Sequence, residues 1–191
     1  MFPEIVVLRH GQTEWNRARR WQGGLDSPLT ALGREQARRM GAVLREAEIG
    51  PASHAAFVSP LGRTLETARL ALGPDWPLRP DPRLREIGVG AWQGWTLEEI
   101  RAAAGLPEGA SIFDYYRAAP GGEGFEALAA RARAFLESLE GPAVIVTHGM
   151  TSRMLRTLAS GGDPAQIDAL PGGQGVVFRV RAGVHEVLGA A

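Results

Sequence analysis

Strand-like and helix-like segments alternate along most of this 191-residue chain, which predicts an α/β domain with a largely parallel central sheet. Three observations carry the prediction. Short apolar runs at 4–8 and 143–147 have the length and continuity of buried strands, and 54–58 reads as another. Each run leads into a segment with apolar residues at helical spacing. No repeat or linker divides the chain, so residues 1–191 are expected to form one domain.

Taken in order, the strand at 4–8 breaks into Arg9, His10 and Gly11. After a polar loop, Asp26-Ser27-Pro28-Leu29-Thr30 turns into a helix through about Ala47, with Ala37, Met40, Gly41 and Leu44 on one face. Behind the strand at 54–58, Ser59 and Pro60 supply an N-cap and a first-turn proline for a helix to about Leu72. Residues 74–95 are rich in Pro, Gly and Trp and read as irregular. Thr96 and Glu99 then form a capping-box pattern opening a short helix. A loop at 120–124 precedes a strong amphipathic helix carrying Leu128, Ala132, Phe135, Leu136 and Leu139. The strand at 143–147 runs into His148-Gly149 and a further helix. Asp163-Pro164 caps another short helix, and 176–180 with 184–188 reads as a closing hairpin around Gly183. The segment 74–124 is expected to be a capping insertion over the active face rather than a second domain.

Composition narrows the chemistry. Net charge is +0, which gives no electrostatic footprint for nucleic acid or an anionic membrane. No apolar run approaches the roughly 18–20 residues of a membrane span, and no signal-peptide pattern is present, so the cytoplasm is the expected compartment. Cysteine is absent, which removes disulfides, zinc–thiolate sites and cysteine nucleophiles. Lysine is absent too: all 21 basic residues are arginine. Schiff-base chemistry and a P-loop lysine are excluded, and a bound anion must be held by Arg, His or backbone N–H groups. Asn16 is the only asparagine.

In such a sheet ligands bind beyond the carboxyl ends of the strands. Three strands deliver polar residues there: the first ends in Arg9-His10-Gly11, the second leads through Ser59-Pro60 to Arg63, and a third ends in Thr147-His148-Gly149. Glu86 adds a carboxylate within reach of the same face. Two guanidinium forks suit a tetrahedral dianion, and their charge disfavours a neighbouring imidazolium. His10 is therefore expected to be neutral and able to attack phosphorus. Glu86 would protonate the leaving oxygen and later take a proton from water, with His148 donating to the equatorial oxygens.

The stretch L-R-H-G-Q-T-E-W-N resembles the R-H-G-x-T-x-x-N signature of the histidine phosphatase, or phosphoglycerate mutase-like, superfamily. The likeness continues through D-S-P-L-T-x-x-G at 26–33, S-P-L-G-R-T-x-x-T-A at 59–68 and L-R-E-I-x-x-G-x-W-x-G at 84–94. It closes with P-G-G-E at 120–123 and V-T-H-G at 146–149. The resemblance implies a three-layer α/β/α sandwich, His10 as the phosphorylated nucleophile, and Arg9, Arg63 and His148 as phosphate holders. It implies Glu86 as proton donor, Asn16 as a further phosphate contact, and Gln22 and Gly23 as substrate contacts. It implies no metal and no cofactor.

Each residue also has a plainer reading. Arg63 lies one turn from Glu66 and would suit a surface ion pair. A Glu in a loop is usually solvated. His54 and His185 fall outside every motif and read as structural, and Trp92, Trp95, Tyr115 and Tyr116 read mainly as packing, with one or two of them free to line the mouth of the site. Gly88, Gly90 and Gly94 miss a dinucleotide fingerprint by one residue, and His10, His148 and Glu86 lack short-range metal-ligand spacing. The leading expectation is a metal-independent phosphatase acting on a small phosphorylated metabolite. The alternatives are a cofactor-dependent phosphoglycerate mutase, whose familiar members are longer and carry lysine contacts, and a catalytically silent phosphate-ligand binder. Phosphoglycerate, a sugar phosphate, a nucleotide and ribazole phosphate all remain open as substrates, and the closing hairpin could be a plain edge or a homodimer contact.

Overall fold

The computed structural model describes residues 2–190. Its sheet has six strands: β1 (Ile5–Arg9), β2 (Ala55–Val58), β3 (Leu78–Pro80), β4 (Ala143–Thr147), β5 (Val176–Arg181) and β6 (Val184–Ala190). They lie in the order β3-β2-β4-β1-β5-β6. The first four in that order pair parallel, and β5 and β6 add an antiparallel hairpin beside β1. Ala182 and Gly183, both with positive φ, make the two-residue turn of that hairpin.

The twofold alternation of side chains along a strand divides the core in two. Ile5 and Val7 of β1 face one side, with Ile145 of β4, and pack against α6 (Gly124–Glu137) and α7 (Gly149–Ala159) through Leu128, Phe135, Met154 and Leu155. Val6 and Leu8 face the other side, with Val144 and Val146. They meet Met40 and Leu44 of α2 (Ala31–Glu46) and Ala68 and Ala71 of α3 (Gly62–Leu72). Helices therefore cover both faces, giving the three-layer sandwich.

Several boundaries differ from the sequence reading. The helix expected to be capped by Ser59 and Pro60 begins at Gly62, and its N-cap, Leu61, has no side-chain cap bond. The Ser59 hydroxyl instead pairs with His148. The irregular stretch 74–95 contains β3, whose Arg79 and Pro80 hide its strand character at a sheet edge. Two helices were not anticipated: α1 (Glu14–Arg17), and a helix at Ile112–Ala118 that follows α4 (Leu97–Ala103) and is α5 here. Capping boxes open all three: Thr13 with Asn16, Thr96 with Glu99, and Ser111 with Asp114.

Candidate active site

The site is assembled by register. Arg9 pairs with Thr147 where β1 and β4 run parallel, and the His10 N–H donates to the Thr147 carbonyl at 2.9 Å. The two following residues, His10 and His148, therefore leave the sheet side by side, with ring centroids 5.2 Å apart and edge to face. Gly11 then lets the chain turn against α2. A Cβ there would lie 2.1 Å from the Gly33 carbonyl oxygen, so close backbone approach, not positive φ, requires the glycine.

His10 is almost fully buried, and its Nδ1–H donates to the Gly11 carbonyl at 2.8 Å. In the neutral ring that bond leaves Nε2 with a free lone pair. Burial first, and then the Arg9 and Arg63 charges, hold its pKa well below the usual histidine value. The imidazole is thus neutral and oriented, as a nucleophile must be.

Arg63 is buried and held from several sides. Its Nε donates to His148 Nδ1 at 3.2 Å, Nη1 to the Leu25 carbonyl at 2.6 Å and to Asp26 at 3.0 Å, and Nη2 to the Gly23 carbonyl at 3.0 Å. Four of its five N–H groups are committed, leaving one Nη2–H for a ligand. The expected full fork from Arg63 is therefore reduced to a single donor. Nor does Arg63 pair with Glu66, which binds Arg34 at 2.7 Å. Arg9, by contrast, keeps a buried Nε without a partner among the described residues.

His148 is completely buried and absent from the cavity lining. Because Nδ1 accepts from Arg63, Nε2 carries the hydrogen and meets Ser59 Oγ at 2.7 Å. Both nitrogens are occupied, so here His148 braces Arg63 from behind instead of presenting a donor to the cavity. Burial and Arg63 push its pKa well down as well.

Glu86 sits at the start of α7. Its Oε1 accepts from the N–H groups of Ile87 and Thr151 at 3.0 and 3.2 Å, and its Oε2 from that of Met150 at 3.3 Å. This carboxylate is anchored on unpaired helix N–H groups, far from the solvated loop residue of the plainer reading. Gly149 leaves room beside it: a Cβ there would stand 3.4 Å from the Arg9 guanidinium and 3.5 Å from Glu86.

A cavity of about 220 Å³ is lined by Arg9, His10, Asn16, Gln22, Gly23, Arg63 and Glu86, with Arg19, Arg20, Trp21, Leu97 and Tyr116 completing its wall. The Asn16 carbonyl oxygen accepts from the Thr13 N–H and hydroxyl and from Gln174, which leaves its amide N–H₂ as the group with donors to offer. Since the Thr13 hydroxyl hydrogen goes to Asn16, Gln22 must donate its Nε2 to that oxygen, at 2.9 Å. Gln22 Oε1 is consequently fixed as a buried acceptor with no partner among the described residues. Among the described residues no group of three or more His, Asp or Glu side chains is arranged to hold a metal ion, and no helix is long and apolar enough to cross a membrane.

Of the four aromatics read mainly as packing, with one or two expected at the mouth, Tyr116 lines the cavity and stacks on Trp21 with centroids 4.2 Å apart. Sequence reasoning gave Asp26 and Ser59 only turn and N-cap roles and did not single out Arg153 or Arg156. Asp26 and Ser59 stood inside quoted motifs, which was a usable signal; Arg153 and Arg156 had only their position one and two turns past His148.

Residues 5–185 match the model of the Histidine phosphatase superfamily (branch 1). The chain is 37% identical over 195 aligned positions to the glucosyl-3-phosphoglycerate phosphatase of Mycolicibacterium vanbaalenii, covering 95% of this chain and 84% of that protein. It is 34% identical to the protein named Probable phosphoglycerate mutase GpmB of Yersinia enterocolitica, covering 84% and 76%. The crystal structure of the alpha-ribazole phosphatase from Shigella flexneri superimposes with a TM-score of 0.80 at 25% identity, covering 96% and 94%.

Proposed function

The chain belongs to the histidine phosphatase superfamily, and from that premise we propose that it hydrolyses a small phosphate monoester through a phosphohistidine on His10. The observation that carries this reading is the oriented, neutral His10 ring, its Nε2 facing a cavity walled by Arg9, Arg63 and Glu86.

Nε2 attacks phosphorus as the P–O ester bond breaks, while Arg9, the free Arg63 Nη2–H and the Asn16 amide hold the non-bridging oxygens. Glu86 delivers its proton to the leaving oxygen, then takes one from the water that cleaves the P–N bond, releasing inorganic phosphate. His148 and Asp26 act by fixing Arg63. The segment 74–124 serves as a cap that contributes Leu97 and Tyr116 to the wall. The relatives named as mutases support a second reading, in which the phosphoryl group returns to a sugar acid; the absence of lysine, which leaves no lysine contact for such a substrate, favours water as acceptor.

Rapid quench of the protein with a ³²P-labelled ester should trap acid-labile phosphate on the wild type and none on His10→Ala. Absence of any adduct, or normal turnover by His10→Ala, would refute the mechanism.

A further inference from the structure

The P-G-G-E stretch at 120–123 supplies no residue to the cavity around His10, yet it lies against the loop that follows Glu86. Gly90 has positive φ, and a Cβ there would stand 2.0 Å from the Pro120 carbonyl oxygen. That oxygen accepts from the Ala91 N–H at 2.9 Å. Nearer the catalytic carboxylate, Glu123 takes both polar groups of Gly88. Its N–H donates to the Gly88 carbonyl at 2.9 Å, and its Oε2 accepts from the Gly88 N–H at 3.0 Å.

Glu123 occupies the N-cap position of α6 without capping it: its backbone is already helical and its side chain makes no cap bond. The carboxylate turns instead to Arg131 on the same helix, with Oε1 accepting from Nε at 2.5 Å and Oε2 from Nη2 at 3.1 Å. Both side chains are about four-fifths buried, so this is a shielded fork and not a surface pair of little consequence. The remaining arm of Arg131, Nη1, donates to the Arg83 carbonyl. One ion pair therefore grips both ends of the segment 83–88, with Glu86 between them.

The two sides of Glu86 are held differently. Before it, the Thr147 hydroxyl donates to the Leu84 carbonyl at 2.7 Å and the Thr151 hydroxyl to the Arg85 carbonyl at 2.6 Å. After it, the Gly88 backbone is bonded by Glu123 alone among the described residues. A proton donor works only within hydrogen-bond reach of the leaving oxygen, and a misplacement of about 1 Å is enough to spoil that.

We propose that Glu123, locked by Arg131, is a positioning residue for Glu86, holding the Gly88 end of the segment so that the Glu86 carboxyl meets the leaving oxygen. The inference deepens the phosphatase reading and rests on it for the role of Glu86, but the positioning itself is a property of the backbone.

Leaving groups test it. Glu123→Ala removes no helix cap and is expected to fold. Its kcat/KM should fall about tenfold on glycerol 3-phosphate, whose alkoxide needs a proton, and stay within about twofold on p-nitrophenyl phosphate, whose phenolate leaves unaided. Glu123→Gln keeps an oxygen for the Gly88 N–H but loses the charge that holds Arg131, and should fall between. In a Glu86→Gln background, Glu123→Ala should cost no more than about twofold further. Equal losses on both esters, or a full loss on top of Glu86→Gln, overturns the positioning role. Hydrogen exchange reads the same thing without turnover. The Met150 and Thr151 amides touch Glu86 and not Glu123, and in Glu123→Ala they should exchange at least about fivefold faster while the β1 and β4 amides keep their rates. If the wild type hydrolyses neither ester, the phosphatase reading falls and these two amides alone decide the positioning. Hydrolysis of both esters with Met150 and Thr151 exchanging as in the wild type overturns the positioning and leaves the phosphatase standing.

Discussion

Arg63 illustrates how much of a reactive site is spent on orientation. Its guanidinium is fixed by two carbonyls, one carboxylate and one imidazole, so that a single N–H faces the ligand. Asp26 is the only charged group among those partners, at 3.0 Å, and its side chain is itself part-exposed. Asp26→Asn keeps the size and removes the charge, and the Arg63 fork is then held by neutral acceptors. The expected result is a fall in kcat/KM of about tenfold, or ~1.4 kcal/mol of transition-state stabilisation, with little change in stability. Steady-state rates on p-nitrophenyl phosphate beside a thermal melt would check it, and rates within twofold of wild type would remove Asp26 from a positioning role. Arg9, His10 and Glu86 stood out in the sequence only together and through the family pattern, since a lone histidine at a strand end or a glutamate in a loop has a plainer reading. The bracing of Arg63 by His148 was not legible, since nothing in the spelling V-T-H-G says which way an imidazole turns.

At the scale of elements, the active loop depends on two backbones passing at close range. Gly33 lies in the first turn of α2, and a Cβ there would lie 2.1 Å from the Gln12 carbonyl oxygen and 2.8 Å from the Gln12 nitrogen. Helix propensity favours Ala over Gly by about 1 kcal/mol, so an isolated helix would gain from Gly33→Ala. The collision is with main chain that cannot rotate away, and forced overpacking costs about 1–3 kcal/mol or more. The clash wins, and because Gln12 follows the nucleophile loop, activity should fall together with stability. Gly50→Ala, with nothing within 4 Å of its added methyl, serves as the control and should be near neutral. Urea titrations of both variants decide the matter: a Gly33→Ala protein as stable as wild type would mean that α2 can slide. The long buried strands and amphipathic helices were readable here because one face repeats at a fixed period. The short pieces, β3, α1 and α5, were not, because three to seven residues hold too few periods and their ends are set by partners distant in sequence.

For the whole molecule, both central histidines are stored neutral in the interior, and His54 and His185 are shifted the same way by burial. The layered order of strands made this foreseeable only in outline: the alternation of elements implied a crevice at the strand ends, whereas the depth of His148 follows from helices closing over it on both faces. The consequence for stability has a definite sign. In the unfolded chain each histidine takes up a proton near pH 6.5; in the folded state His10 and His148 do so only well below that. Between those limits the unfolded state binds more protons, so the stability they contribute is fully present above pH 6.5 and is lost as pH falls toward the folded values. Two such groups give a slope of about 2.7 kcal/mol per pH unit within the window, which for a chain of this size lowers the melting temperature by on the order of 5–10 °C per unit. Melts at pH 7.5, 6.5 and 5.5 should therefore show a small change over the first step and a large one over the second. His148→Gln should flatten the second step by about half, because it removes one of the two deeply buried imidazoles. A melting temperature constant from pH 6.5 to 5.5 would show that the interior accepts the charged rings, and the neutral nucleophile at His10 would lose its physical basis with it.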